Sequence, residues 1–194
     1  MKKIILASSS PRRKQLLEQI GLVFDIEPSN YEEDMTLDLS PVDLAKYLSH
    51  GKAKDIADKH RGEDVLVIGA DTFCAFKDQV LGKPHTPEKS KQVLTMLNGT
   101  QHIVITGLTV IDCKSGQEIS TAIEAKVFLK QVTDEEIDAY IRTGEPLERA
   151  AGYAVQEKGS FLIEKTEGDF SSIVGLPIPT LVDILKKFHI KLFE

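Results

Sequence analysis

The twelve residues Lys3-Ile-Ile-Leu-Ala-Ser-Ser-Ser-Pro-Arg-Arg-Lys14 constrain the fold more than any other stretch. Residues 3–7 read as a short buried strand, because four aliphatic residues run together and a turn signal follows. Ser10 suits a helix N-cap, and Pro11 suits the first helical position, where a missing N–H costs nothing. Leu16, Leu17 and Ile20 then give the helix an apolar face. A strand therefore passes through a serine loop into a helix N-terminus, whose free N–H groups and partial positive charge suit an anion. Arg12, Arg13 and Lys14 fill the first turn, where cations oppose the dipole and repel one another. A lone Arg-Arg pair is most often a solvated basic turn. Behind a strand and a serine loop, it reads instead as a place for a bound polyanion.

At 194 residues and 41% hydrophobic content, the chain has material for one sizeable domain, residues 1–194, with a real core. Its formal net charge of −6 argues against a nucleic-acid partner, which wants a basic surface. The apolar runs are too short to span a bilayer, so no membrane partner is expected. Two N-terminal lysines followed by four apolar residues do not make a signal peptide. Cys74 and Cys113 lie in strand-like runs and read as small core residues of a reducing compartment.

Along the chain, residues 22–26 read as a second strand, followed by an acidic loop over 27–34. Ser40-Pro41 opens a helix that runs to about His60. Val65–Ile68 reads as a central strand buried on both faces, continuing through Gly69-Ala-Asp-Thr72 to Phe76. Residues 77–79 read as a turn, and Thr86-Pro87 starts a helix that stops at Asn98-Gly99. Residues 101–113 and 117–130 form a long hairpin about Cys113-Lys-Ser-Gly116. A capping box, Thr133 to Glu136, opens a helix ending at Gly144. Residues 145–159 read as irregular, 161–165 as a strand, 177 or 179 to 188 as a helix, and 190–193 as a short strand. The pattern is α/β with a mixed, twisted sheet and flanking helices.

Asp71 follows a buried strand and a glycine, at a strand's carboxyl end, where α/β proteins gather ligands. Lys52 and Lys83 are candidates to face phosphates. Glu32 and Glu33 suit a divalent cation, since Mg²⁺ takes one or two carboxylates plus substrate phosphate. Taken singly, each of these is more often a strand-end cap or a solvated charge. The histidines are scattered without zinc spacing, and there is neither a Walker loop nor a G-x-G-x-x-G.

The ordered set goes further. Leu6-Ala-Ser-Ser-Ser-Pro-Arg-Arg-Lys-Gln-Leu-Leu17, Glu32-Glu33, Lys52-Ala53, Ile68-Gly-Ala-Asp-Thr72, Leu81-Gly-Lys-Pro84, Gly144-Glu-Pro146, Gly152-Tyr-Ala-Val-Gln156 and Val174-Gly-Leu-Pro177 follow one another along the chain. Together they closely resemble the Maf family of nucleotide pyrophosphatases, also called septum formation inhibitors. The resemblance implies a cytoplasmic protein with two lobes around a deep cleft, often a homodimer. It implies cleavage of a nucleoside triphosphate substrate to monophosphate and pyrophosphate with a divalent metal cation, Mg²⁺ or Mn²⁺, as cofactor. Carried over by position, it makes Asp71, Glu33, Lys52 and Lys83 the catalytic set, with Asp71 accepting a proton from the attacking water. Ser8, Ser10 and Arg13 become phosphate contacts, and Glu33 and Asp71 metal ligands. Arg12, Thr72 and Gln156 stand at the positions that separate the family's branches. They resemble the branch cleaving thymidine and uridine triphosphates; the branch for methylated guanosine nucleotides carries tryptophan, glutamine and glutamate there. One departure is visible: Lys-Ala-Gly-Ala-Tyr in the family is Arg149-Ala-Ala-Gly-Tyr153 here, so the resemblance leaves open the loop's geometry and a phosphate role for Arg149. House-cleaning of modified nucleotides is the cellular role implied, and a non-catalytic nucleotide-binding regulator of cell division is the alternative. An RNA-binding module is disfavoured by the charge.

Overall fold

The computed structural model describes residues 2–77 and 79–192. Strand β1 (Lys3–Leu6) leads into helix α1 (Pro11–Gln19), followed by β2 (Asp25–Ile26), α2 (Pro41–Lys59), β3 (Val65–Phe76), β4 (Gln79–Leu81), α3 (Pro87–Leu97), β5 (Gln101–Asp112) and β6 (Glu118–Leu129). Helix α4 (Asp134–Ile141), β7 (Ile163–Glu167), α5 (Phe170–Val174) and α6 (Ile178–Lys187) complete the order. The sheet runs β2-β1-β3-β5-β6-β7, with β4 paired to the far end of β3. β1 is parallel to β2 and β3, and every other pairing is antiparallel. The mixed α/β sheet with flanking helices is thus the architecture that the sequence implies.

The alternation of side chains along β3 explains the layering. Leu66, Ile68 and Ala70 join Leu17 of α1 and Leu181 and Leu185 of α6 on one face. Farther along that face, Cys74 and Val104 pack with Leu94 and Leu97 of α3 and Ile137 of α4. On the other face Val67 meets Ala53 and Ile56 of α2, and Phe73 meets Leu44 and Leu48. β3 is buried almost throughout, as a doubly covered strand should be. α2 can lie this close because Gly69 and Gly107 oppose it. A Cβ on Gly69 would stand 2.6 Å from the Ser49 carbonyl oxygen, and one on Gly107 would overlap the Ala45 carbonyl.

Several boundaries differ from the sequence reading. Of residues 22–26 only Asp25 and Ile26 pair, with Ile5 and Leu6, because the chain leaving α1 is still tied to it at Leu22, whose N–H donates to the Leu17 carbonyl at 3.2 Å. Residues 158–162 form a 3-10 turn, so the strand expected over 161–165 begins at Ile163. Phe161 instead sets its ring edge-on to Tyr140, 5.6 Å between centroids. α5, capped by Asp169, lies where no helix is expected: it has only five residues, too few for a periodic pattern. Residues 190–192 do not form a strand; Phe193 and the middle of the 77–79 turn, Asp78, lie outside the described residues. Within 145–159 are two further short 3-10 turns, Glu145–Glu148 and Ala150–Gly152. Both cysteines are free and buried, and burial pushes their thiols up, to about 12 for Cys74 and about 11 for Cys113.

Two predictions follow from this packing. Gly107→Ala forces α2 off the sheet, at an expected cost of about 3 kcal/mol and a Tm lower by roughly 6–12 °C, read by calorimetry; an unchanged Tm would contradict the close approach. His102, on β5, is 3% exposed, and burial pushes its imidazole down to about 4. The unfolded chain therefore takes up a proton near pH 6.5 that the folded chain refuses until about pH 4. The associated stability is whole above pH 6.5 and is lost as pH falls toward 4, on the order of 3 kcal/mol. Urea unfolding at pH 7, 5.5 and 4 should show this slope in the wild type and a flatter one in His102→Leu.

Candidate functional site

The site begins where two strands of unequal length part. Leu6 of β1 pairs with Ile68, and the Ala7 N–H donates to the Ile68 carbonyl at 2.8 Å. β1 stops there, while β3 continues, and β4 does not cover its edge until Cys74 meets Leu81. Strand alternation turns the main-chain groups of the odd-numbered residues of β3 toward β5, as the Val65 carbonyl, which accepts from the Cys113 N–H, shows. The main-chain groups of Ala70 and Thr72 consequently face a notch in the sheet edge. Asp71, expected at a strand's carboxyl end, lies instead in mid-strand, because β3 runs on to Phe76 against β5; it projects from one face of β3 at this notch, and Thr72 from the other.

A cavity of about 470 Å³ opens on the notch. Ten of the residues singled out from the sequence line it: Ser8, Ser10, Arg12, Arg13, Glu33, Lys52, Asp71, Thr72, Lys83 and Gln156; Glu32, the other acidic candidate for a cation, does not. Arg149 also lines it, which makes five cationic side chains against the carboxylates of Glu33, Asp71 and Glu148. The chain's negative charge is thus reversed locally, as a polyanion site requires.

On the α2 face, Lys52 is the hub. Its ammonium bonds the Asp71 carboxylate and lies 2.6 Å from Glu33 Oε1. Asp71 is 5% exposed and Glu33 about half exposed. Glu33 reaches Lys52 because its loop is tied down on α2. Asp55 accepts from Ser29 Oγ at 2.9 Å and from the Asn30 N–H at 2.8 Å; that main-chain bond is the largest of the influences holding its carboxyl below the ordinary range. The Tyr31 ring lies where a side chain on Gly51 would otherwise stand. Two converging carboxylates suit a Mg²⁺ that completes its shell with water and phosphate oxygens. Among the described residues there is no cage of three or more carboxylates, histidines or cysteines.

On the opposite face, the Ser8–Ser10 loop and Arg13 form one network. Ser10 caps α1, and Ser8 Oγ accepts from the Ser10 N–H at 3.2 Å. Arg13 donates through Nε to the Gly175 carbonyl at 2.8 Å, through Nη1 to Ser8 Oγ at 3.1 Å, and through Nη2 to Thr72 Oγ1 at 3.4 Å. Burial weakens its hold on the proton, and the nearby Asp71 partly restores it. Three of its five N–H groups are spent on the fold, leaving two for an anion. Thr72 Oγ1 is also 2.8 Å from Thr106 Oγ1, which donates to the Ser172 carbonyl.

Much of the remaining wall comes from Lys83 and from residues 148–150 and 153–156. The Ala151 N–H donates to the Gly82 carbonyl at 3.1 Å, which sets Lys83 beside Glu148. Gln156 is exposed and makes no hydrogen bond among the described residues, so its amide is unspent. Tyr153 lines the cavity from within, its hydroxyl 2.6 Å from His102 Nε2. Sequence reasoning did not single out Tyr31, Tyr153 or Glu157. Gly51 within a helix was the one available signal, for the close approach of Tyr31.

The profile of the family described as Maf-like protein matches residues 3–188. A dTTP/UTP pyrophosphatase of Methanosarcina mazei is 49% identical over 195 residues, covering 100% of this chain and 98% of that one. Its counterpart in Methanosarcina barkeri is 47% identical over the same coverage, and one from Alkaliphilus oremlandii is 43% identical over 96% of each chain.

Because Arg13 ties α1 to the turn after α5, its removal leaves the Gly175 carbonyl and Thr72 without that donor. Arg13→Ala is expected to cost about 1–3 kcal/mol of stability, read as the urea midpoint. A midpoint equal to wild type would show that these bonds add nothing to the fold.

Proposed function

The chain belongs to the Maf family, and from that premise and the cavity at the β3 notch we propose that it is a nucleoside triphosphate pyrophosphatase cleaving dTTP and UTP to the monophosphate and pyrophosphate. The supporting observation is the convergence of ten sequence-derived residues on one cavity, with a lysine-held pair of carboxylates in its lining. The names of the relatives point the same way.

In this reading the triphosphate lies along the cationic wall. Ser8, Ser10 and the α1 N-terminus receive phosphate oxygens, with the two free N–H groups of Arg13 beside them. Lys83 takes a second set of oxygens from the opposite wall. Asp71 accepts the proton of the water attacking the α-phosphate, and Lys52 fixes the carboxylates of Asp71 and Glu33 in register. Glu33 and Asp71 would hold a divalent cation, Mg²⁺ or Mn²⁺, which when bound supplies positive charge against the triphosphate. On the base side, Gln156 offers one donor and one acceptor to the alternating O4, N3–H and O2 edge of uracil or thymine. Thr72 contributes a small hydroxyl side chain that leaves room beside the base, and Arg12 borders it. Disposal of surplus or modified pyrimidine triphosphates is the cellular role that such an enzyme serves. A purely binding regulator has no need of a buried carboxylate held by lysine.

Pyrophosphate release with Mg²⁺ or Mn²⁺ tests this. UTP and dTTP should exceed 7-methylguanosine triphosphate in kcat/KM, and Gln156→Glu should narrow the ratio. Asp71→Asn should keep nucleotide binding and lose roughly a hundred- to ten-thousandfold in turnover. An Asn variant with more than half of wild-type activity would remove Asp71 as the base. Absence of pyrophosphate release from every triphosphate would favour the regulator.

A further inference from the structure

Resting on that reading of the cavity, we propose that Arg149 is a further phosphate-binding residue, held in the free protein by Glu157 and handed to the nucleotide's phosphate oxygens on binding.

Three observations carry this. The first is placement. Arg149 follows the turn Glu145–Glu148, and the chain then passes through two left-handed residues, Ala151 at φ 54° and Gly152 at φ 74°. An alanine in that region is strained by about 1–2 kcal/mol, and the surroundings must enforce it. They do: Ala151 is fully buried and its N–H is bound by the Gly82 carbonyl, while the Gly152 N–H returns to the Arg149 carbonyl at 2.9 Å. This fixed reversal sets Arg149 in the cavity wall, on the same bracket as Lys83.

The second is unfinished hydrogen bonding. Arg149 Nη2 lies 2.7 and 2.8 Å from the two oxygens of Glu157. Its Nε–H is enclosed and meets no acceptor among the described residues. An arginine retained only to brace a loop would be expected to spend an enclosed donor on a carbonyl, since leaving one unmet is costly.

The third is charge. Arg12 Nη1 is 3.7 Å from the same Glu157 oxygen, so two guanidinium groups share one carboxylate. Glu157 does not line the cavity, whereas both arginines do. The pair carries an excess positive charge on its cavity side, and the planar guanidinium fork fits phosphate oxygens. The exposed carboxylate of Glu157 acts as a surrogate that a stronger polyanion outcompetes.

The α-phosphate and the β,γ-pair are both sources of such oxygens, so the test uses UMP, pyrophosphate and the non-hydrolysable α,β-imido-UTP. Binding to the full chain is measured by calorimetry at fixed ionic strength. Arg149→Ala should weaken α,β-imido-UTP roughly ten- to a hundredfold, the worth of a charge-assisted bond. A matching loss with UMP assigns Arg149 to the α-phosphate, and one with pyrophosphate to the leaving group; a loss with neither overturns the assignment. Glu157→Gln, which removes the surrogate, should tighten α,β-imido-UTP by about two- to fivefold, the scale of an exposed ion pair. A bracing role predicts the opposite, because loosening the segment would weaken binding. Equal or weaker binding by Glu157→Gln, or wild-type binding by Arg149→Ala, overturns the proposal while leaving the pyrophosphatase reading intact. Should the alanine variant not fold, Glu157→Gln in an Arg12→Ala background, where Arg149 is the guanidinium released, decides by its sign: tighter binding supports the proposal and equal or weaker binding overturns it. Failure of the wild type to bind α,β-imido-UTP would overturn both.

Discussion

The site depends on a mismatch in strand length. β1 covers β3 only as far as Ile68, and β4 returns only at Cys74. Buried main-chain N–H and C=O groups must find partners, so an uncovered stretch within a sheet is a polar slot rather than an apolar void. The exposed edge also breaks the usual separation of a sheet's two faces. Asp71 and Thr72 are neighbours whose side chains point to opposite faces, yet both line the same cavity. α2 then supplies Lys52 from one side, and the serine loop with α1 supplies Arg13 from the other. Neither set could act on one ligand if β1 ran the full length of β3.

Most of this was legible because it is local. The N-caps Ser10, Ser40, Thr86 and Thr133 each accept from the N3 main chain, as their sequence signatures imply. The apolar run 65–68 and the hairpin about residues 113–116 needed only period and turn chemistry. What was not legible depends on partners distant in sequence. Residues 22–26 have strand composition, yet Leu22 is held to the end of α1 and only Asp25 and Ile26 reach β1, which only the fold reveals. Residues 161–165 look like a strand, but Phe161 is drawn to Tyr140 and the ladder with β6 carries a register shift at Phe128–Leu129. In the site, individual residues were legible as types and their convergence as a resemblance. The Lys52 bridge and the Glu157 clamp are tertiary contacts that no spacing encodes.

The basic first turn of α1 shows how one residue serves two ends. Read alone, Arg13 opposes the helix dipole and looks like a cost to the fold, accepted for a ligand. The structure spends three of its donors on Ser8, Thr72 and Gly175. These bonds join α1, β3 and the turn after α5 around the notch. The arginine is therefore oriented before any anion arrives, and the entropy of fixing a long side chain is met in folding rather than in binding.

The displaced glycine near Tyr153 has a similar logic. Ala151 and Gly152 both take positive φ, and glycine relieves strain at only one of them. A glycine in a sequence marks one left-handed position but does not report that its neighbour is another. Here the neighbour is alanine, held by burial and by the Gly82 carbonyl. A Cβ on Gly152 would meet Pro84 Cγ only at ordinary contact distance, 3.4 Å, so the positive φ rather than a lack of space favours glycine there. With glycine at 152, the strain of the reversal in this chain falls on Ala151, between Arg149 on one side and Tyr153 on the other. Both ends reach the cavity, which ties the loop's conformation to the placement of groups facing the ligand rather than to the composition of the loop itself.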